Sequence, residues 1–221
     1  MPFVKKPQVF SAKINELTLG TGDKAVTMGG QNVYNLYSFD APMTNAPRIG
    51  IDVSDDPEQP CEGLKNFYAG CDTLAQRAAK AASLDHVDFV CIRFDLADPN
   101  GANKSVEDCV AEAKAVAEVV DKPIVVAGCK NAEKDADLFA KVSEALQGKN
   151  ILVLSAKEEN YKGIAAGAGL AYGQKVGAES AVDINLAKQL NVLITQMGVD
   201  GHNVAMNVGS AAAGYGFEYV V

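Results

Sequence analysis

The chain has 221 residues, 48% of them hydrophobic, and carries a formal net charge of −8. That is enough length and apolar content to bury a core as one domain. The acidic balance argues against a nucleic-acid or anionic-membrane surface, and no apolar run reaches the roughly 18 residues that a membrane span needs. Cysteines at 61, 71, 91, 109 and 129 form no C-x-x-C pair and offer neither an iron–sulfur motif nor a zinc site. Their odd number, with a start (Met1 to Lys6) that lacks the apolar core of a secretory signal, points to reduced thiols in a cytoplasmic protein. With only His86 and His202 present, a histidine metal cluster is not expected.

Phe10 to Gly30 reads as a β-hairpin. Alternation from Ala12 to Leu19 is followed by the turn residues Gly20-Thr21-Gly22-Asp23 and a returning strand, Lys24 to Met28. Gln31 to Pro47 reads as an irregular connection, so residues 1–47 form an N-terminal hairpin and linker ahead of a domain over 48–221. From Arg48 the pattern turns regular. Strands are expected at Arg48 to Val53, Val87 to Phe94, Pro123 to Gly128, Asn150 to Ser155, Lys175 to Ala181 and Asn203 to Val208. Between them the apolar period becomes 3.6. The first helix is expected from Gly63 to Ser83, on a stripe of Leu64, Phe67, Tyr68, Cys71, Leu74, Ala75 and Ala78. Further helices are expected from Val106 onward with a Ser105/Asp108 cap, at Ala132 to Leu146, at Glu158 to Ala171, and from an Asp183 cap to Met197.

Strands apolar on both faces and alternating with helices imply an α/β protein with a parallel sheet. No G-x-G-x-x-G follows the first strand, so a dinucleotide fingerprint is absent. The expected fold is a (β/α)8 TIM barrel that stops after about six βα units, most simply because the sequence is incomplete, with the hairpin at its N-terminus. The alternative is an open sheet ending in Tyr219-Val220-Val221, whose edge would need cover.

In such a fold, loops at the carboxyl ends of strands make the working face. The loop Asp95 to Ser105 is richer in Asp, Asn, Pro and Gly than a minimal connection requires, and is the first place to look. Strand ends also bring Asp52, Arg93, Asp95, Cys129, Ser155, Glu179, Ser180, Asp183 and Asn207 toward one face. Asp52 and Asp95 suit paired acid–base carboxylates, although Arg93 beside them favours plain ion pairing. Cys129 lacks an evident histidine to activate it, which favours a packed thiol over a nucleophile. Glu179 either meets a ligand or caps a loop. The glycines from Gly163 to Gly169 and from Gly209 to Gly216 favour close packing, and no Walker-type lysine follows them. No triad, P-loop or metal set is complete.

Five segments, in order, resemble the small subunit of the corrinoid iron–sulfur protein, which is the delta subunit of archaeal acetyl-CoA decarbonylase/synthase complexes. They are Val26-Thr27-Met28-Gly29-Gly30, the Asp95 to Val106 loop, Glu159-Asn160-Tyr161-Lys162, Val182 to Asn191, and Gly214-Tyr215-Gly216-Phe217-Glu218-Tyr219. The resemblance implies a TIM barrel that helps hold a cobalt corrinoid. It implies a heterodimer with a large iron–sulfur corrinoid subunit that bears the cluster, consistent with the missing C-x-x-C motifs. It further implies methyl transfer from methyltetrahydrofolate or a methylated pterin, through a methyltransferase, to acetyl-CoA synthase/CO dehydrogenase.

Motif match and strand-end position nominate Asp52, Asp95, Asn103, Cys129, Glu179, Ser180, Asp183 and Asn207 as cofactor-side residues. No catalytic or metal-ligating residue is nominated on this chain. One departure from the family stands out: Asn207-Val208 occupies the place where the family commonly has Asp-Pro. Two other readings compete. One is a pterin-dependent methyltransferase gripping its pterin through Asp52, Asp95, Asp183 and Asn207. The other is a scaffold that touches no cofactor.

Overall fold

Six strands lie side by side in the order in which they are synthesised, every neighbouring pair parallel: β3 (Gly50–Ser54), β4 (Phe89–Arg93), β5 (Ile124–Ala127), β6 (Leu152–Ala156), β7 (Lys175–Glu179) and β8 (Val204–Asn207). A short antiparallel hairpin, β1 (Glu16–Leu19) and β2 (Val26–Gly29), precedes them. This computed structural model describes residues 10–32, 43–58, 60–210 and 212–217.

The strands are short and rich in Val and Ile because both of their faces are used. On one face Val53, Val90, Ile92, Val126, Val153, Val176 and Ala178 pack under the helices in the main core. Those helices are α1 (Glu62–Phe67), α2 (Leu74–Ala82), α3 (Val106–Val119), α4 (Ala132–Ala145), α5 (Tyr161–Ile164), which continues as a π-helical segment (Ala165–Leu170), and α6 (Ile184–Gln196). The glycines of the α5 region serve close approach: a Cβ at Gly167 would lie 2.8 Å from the Ala140 Cβ of α4.

On the other face the hairpin covers the amino-terminal half of the sheet. Leu17, Leu19 and Val26 form a second core with Cys91, Val125 and Leu152. Asn150, just ahead of β6, ties the hairpin down by donating to the Thr18 and Gly20 carbonyls at 2.9 and 3.0 Å. Gly20 in turn donates to the Asn150 carbonyl at 2.9 Å.

The strands and caps fall where periodicity puts them. Ser105 accepts from the Asp108 N–H, Asn131 from Lys134, and Asp183 from Asn185 and Leu186. Three expectations need correction. The single helix from Gly63 to Ser83 is two helices: Gly70 sits at φ +80°, and Thr73 and Gln76 form a full capping box that starts α2 afresh. No closed barrel forms among the described residues. The sheet is open along β3 and β8, although its sequential strand order is that of a barrel wall. A chain that stops after six βα units is expected to end within its sixth helix, whereas Gly214 to Phe217 is turn and 3-10 backbone. The edge considered at Tyr219 to Val221, and part of the linker between the hairpin and β3, lie outside the described residues.

Candidate functional site

Two residues beyond the hairpin-covered row, the same face of the sheet changes character. Cys91, Val125 and Leu152 are buried, whereas Arg93, Ala127 and Leu154 open onto a cleft of about 800 Å³ at the carboxyl ends of the strands. Ala127, Gly128 and Leu154 give the cleft its apolar part. Asp52, Arg93 and Asp95 line one side; Lys130, Lys157 and Glu179 line the other.

Arg93 organises the first group. Its guanidinium donates to Asp95 at 2.5 Å and lies 3.7 Å from Asp52. Ser54 adds a hydrogen bond to the same Asp95 oxygen at 2.6 Å. Burial alone would push the Asp95 carboxyl up, but the Arg93 and Ser54 hydrogen bonds and the guanidinium charge outweigh it and hold the group below the usual carboxylate range. Asp52 is 62% exposed, so the trio is a half-solvated ion-pair cluster. Asp95, held ionised by Arg93 and Ser54, is a poor general acid.

Behind it, a buried network fixes the two loops that carry the cluster. Asp55 has a fully buried side chain; it accepts from the Leu96 N–H at 3.0 Å and from Lys104 at 3.2 Å. Lys104 also meets Glu112 of α3 at 2.6 Å. Burial opposes the charge on Lys104, but Glu112 and Asp55 together raise its pKa. Arg77 of α2, itself buried, donates to the Ser54 and Asp55 carbonyls. The loop Asp95 to Ser105 is thereby clamped to the loop after β3. The Asp, Asn and Gly richness of its tip serves its own turns: Asp98 accepts from the Asn100 N–H at 2.9 Å.

On the other side, Asp135 reaches back from α4 beneath the loop after β5. Its carboxylate accepts from the Cys129 N–H at 2.8 Å, the Cys129 thiol at 3.2 Å and the Lys130 N–H at 3.0 Å. Burial raises the Asp135 carboxyl above its usual range against these hydrogen bonds. The Cys129 thiol is pushed up to about 11, first by burial and then by Asp135, and is therefore a protonated packing group. Lys157 lies 3.8 Å from Glu179.

The structure thus brings Asp52, Asp95 and Glu179 of the nominated residues into the cleft. It does not bring in the other five. Asn103 sits on the outer loop at φ +49°, accepting from Lys134 at 3.0 Å. Cys129 is held by Asp135 beneath the surface, and Ser180 is buried. Asp183 is spent as the α6 cap, and Asn207 accepts from the Gly209 N–H at 2.9 Å. Lys130, Lys157 and Asn160 also line the cleft, unnominated by the sequence reading. Asn160 falls inside one of the five family segments, and this was the one available signal for it.

A parallel α/β sheet with a polar cleft at the carboxyl ends of its strands defines a class of ligand-binding α/β protein rather than one activity. Comparison with known proteins narrows it. The family described as CO dehydrogenase/acetyl-CoA synthase delta subunit matches residues 16–221, and the chain belongs to that family. It is 30% identical over 219 residues to the acetyl-CoA decarbonylase/synthase complex subunit delta of Archaeoglobus fulgidus, covering 95% of this chain and 48% of that protein. The subunits of the same name from Methanopyrus kandleri and Methanothermobacter thermautotrophicus are each 28% identical, covering 91% and 96% of this chain and 50% and 55% of theirs. The chain therefore spans about half the length of these curated relatives.

Proposed function

We propose that this chain forms one wall of a corrinoid site in a methyl-carrying subunit pair of an acetyl-CoA-forming or acetyl-CoA-cleaving complex, without catalytic residues of its own. The observation that carries this reading, in a chain of this family, is the open cleft at the carboxyl end of the sheet, which presents donors and acceptors together. A corrin ring is an apolar disc rimmed by amides that both donate and accept. Arg93, Lys130 and Lys157 offer the donors, Asp52 and Glu179 the acceptors, and Ala127 with Leu154 an apolar surface. The donor set thus fits the rim of the group.

When bound, the corrinoid supplies the cobalt centre that accepts and gives up the methyl group. The chain's own residues bind and orient. The clamp of Asp55, Lys104 and Arg77 keeps Arg93 and Asp95 in place before any ligand arrives, so little ordering is left for binding. Among the described residues no imidazole lines the cleft. His202 lies beside the hairpin, its Nδ1 3.4 Å from the Glu16 carbonyl. The proposed role is accordingly a wall, and the iron–sulfur cluster is assigned to a large partner subunit. A methyltransferase and acetyl-CoA synthase/CO dehydrogenase are the proposed further partners. No described helix is long and apolar enough to cross a membrane.

The pterin-dependent methyltransferase reading draws less support, because Asp95, Asp183 and Asn207 are already engaged within the protein. The deciding experiment is co-expression of the full-length gene with that of its large subunit. A 1:1 complex with a corrinoid absorption spectrum that changes on reduction and on methylation is expected. A lone protein that neither pairs nor alters corrinoid binding overturns the proposal, and methyl transfer from methyltetrahydrofolate to free corrinoid by this chain alone would replace it.

A further inference from the structure

Of the asparagines in the chain, only Asn100 is followed by a glycine. That pairing has a chemistry of its own. The glycine nitrogen can attack the asparagine Cγ, and with no side chain beside it the approach is unhindered. Both Asn100 and Gly101 are exposed, at the tip of the loop after β4 and outside the cleft. The turn itself does not require the glycine. The φ of Gly101 is not positive, and a Cβ there would meet the Asp98 carbonyl oxygen at 3.6 Å, an ordinary contact.

One residue restrains the pair. The Asp98 carbonyl accepts from the Gly101 N–H at 3.0 Å, closing a turn with Pro99 and Asn100 at its centre. The Asp98 carboxylate accepts from the Asn100 N–H at 2.9 Å and from the Asn100 side-chain amide at 3.3 Å. The attacking nitrogen and the amide that would leave are thus both held by Asp98. Behind the tip, the Asn103 N–H donates to the same carbonyl at 3.0 Å and the Lys104 N–H to the Leu96 carbonyl at 2.8 Å, which fixes the base of the turn.

We infer that Asn100 is a site of spontaneous deamidation and that Asp98 sets its rate. The Gly101 nitrogen forms a bond to the Asn100 Cγ as the Cγ–Nδ2 bond breaks. The Gly101 amide proton passes to solvent, and the released amide takes up a proton and departs as ammonia. Water then opens the cyclic imide at either carbonyl, leaving aspartate or isoaspartate. Both products add a negative charge beside Asp98. Isoaspartate also lengthens the backbone by one carbon and breaks the turn that Asp98 closes. The folded loop delays ring closure because the Asp98 hydrogen bonds must first be released, and one bond to a charged acceptor is worth about tenfold in rate.

The test ages the full-length protein at mildly alkaline pH. Peptide mapping with mass spectrometry separates the Asn, Asp and isoaspartate forms at position 100. Wild type, Asp98→Ala, Asp98→Asn and Gly101→Ala are each measured folded and in denaturing urea, so that every variant is its own reference. Folded wild type is expected to convert about tenfold more slowly than unfolded wild type. Asp98→Ala is expected to lose that protection, Asp98→Asn to keep part of it through its side-chain oxygen, and Gly101→Ala to slow conversion even in urea. The wild-type ratio and Asp98→Asn remain decisive if Asp98→Ala does not fold. Equal rates for folded and unfolded wild type overturn the inference. So does a folded Asp98→Ala protein that is protected as well as wild type, or an Asn100 that survives ageing in urea unchanged.

Discussion

The two ends of the sheet's inner face are built from the same three central strands, β4, β5 and β6, two residues apart, and behave as opposites. At the amino end Leu17, Leu19 and Val26 of the hairpin seal Cys91, Val125 and Leu152 from water. At the carboxyl end nothing described covers Arg93, Ala127 and Leu154, and the residues around them are charged. The lesson is a division of labour within one pleat. Stability is invested where the hairpin sits, and the cleft holds its charges by pairing them sideways, with the buried Asp55 and Asp135 and the half-buried Lys104 beneath. A face left open to a ligand or partner cannot also hold the fold together.

The contrast can be broken most strongly at the sealed end. Leu19→Ala, at a fully buried position, is expected to cost about 3 kcal/mol in urea denaturation and to leave the cleft ion pairs intact. At the open end Asp52→Asn removes an exposed partner of Arg93 and is expected to cost under about 1 kcal/mol in the same measurement. A larger loss there than at Leu19 would invert the comparison.

Acid sharpens it. Asp95 has a folded pKa below its unfolded one, so its contribution is complete above about pH 4 and is lost as pH falls through the folded value. Urea midpoints taken from pH 5 down to pH 2 should fall less steeply for Asp95→Asn than for wild type; identical slopes would show that the cluster carries no linked stability. The smallest effect is chemical. At pH 8 iodoacetamide should modify exposed Cys61 in the folded protein and reach Cys129 only after unfolding, as read by mass spectrometry. Rapid native labelling of Cys129 would restore it as a reactive thiol.

Much of this was legible in the residues. The strands could be found because Val and Ile runs bounded by turns leave few alternatives, and the caps at Ser105 and Asp183 because short polar side chains there have one good use. Asp52, Asp95 and Glu179 were reachable from strand-end position alone. The break between α1 and α2 was written in Thr73 and Gln76, a capping box overshadowed by an apolar stripe that runs straight across it. Lys130, Lys157 and Asp135 were not legible, since their roles depend on the αL turn at Lys130 and on contacts between separate βα units. Nor could the spacing of Asp55 and Lys104, 49 residues apart, announce a partly buried pair. Local pattern specifies elements, and the cleft is made where elements meet.

The hairpin latch also sets an order of events. Each strand of the sheet pairs only with its neighbours in sequence and can be laid down as the chain emerges. The hairpin cannot. Its anchor, the Asn150 amide on the Thr18 carbonyl, spans 132 residues, and part of its apolar seat is Leu152 of the fourth sheet strand. The first strands made are consequently not secured until β6 has emerged, so nascent chains shorter than about 150 residues leave Leu17, Leu19 and Val26 as an undocked apolar face.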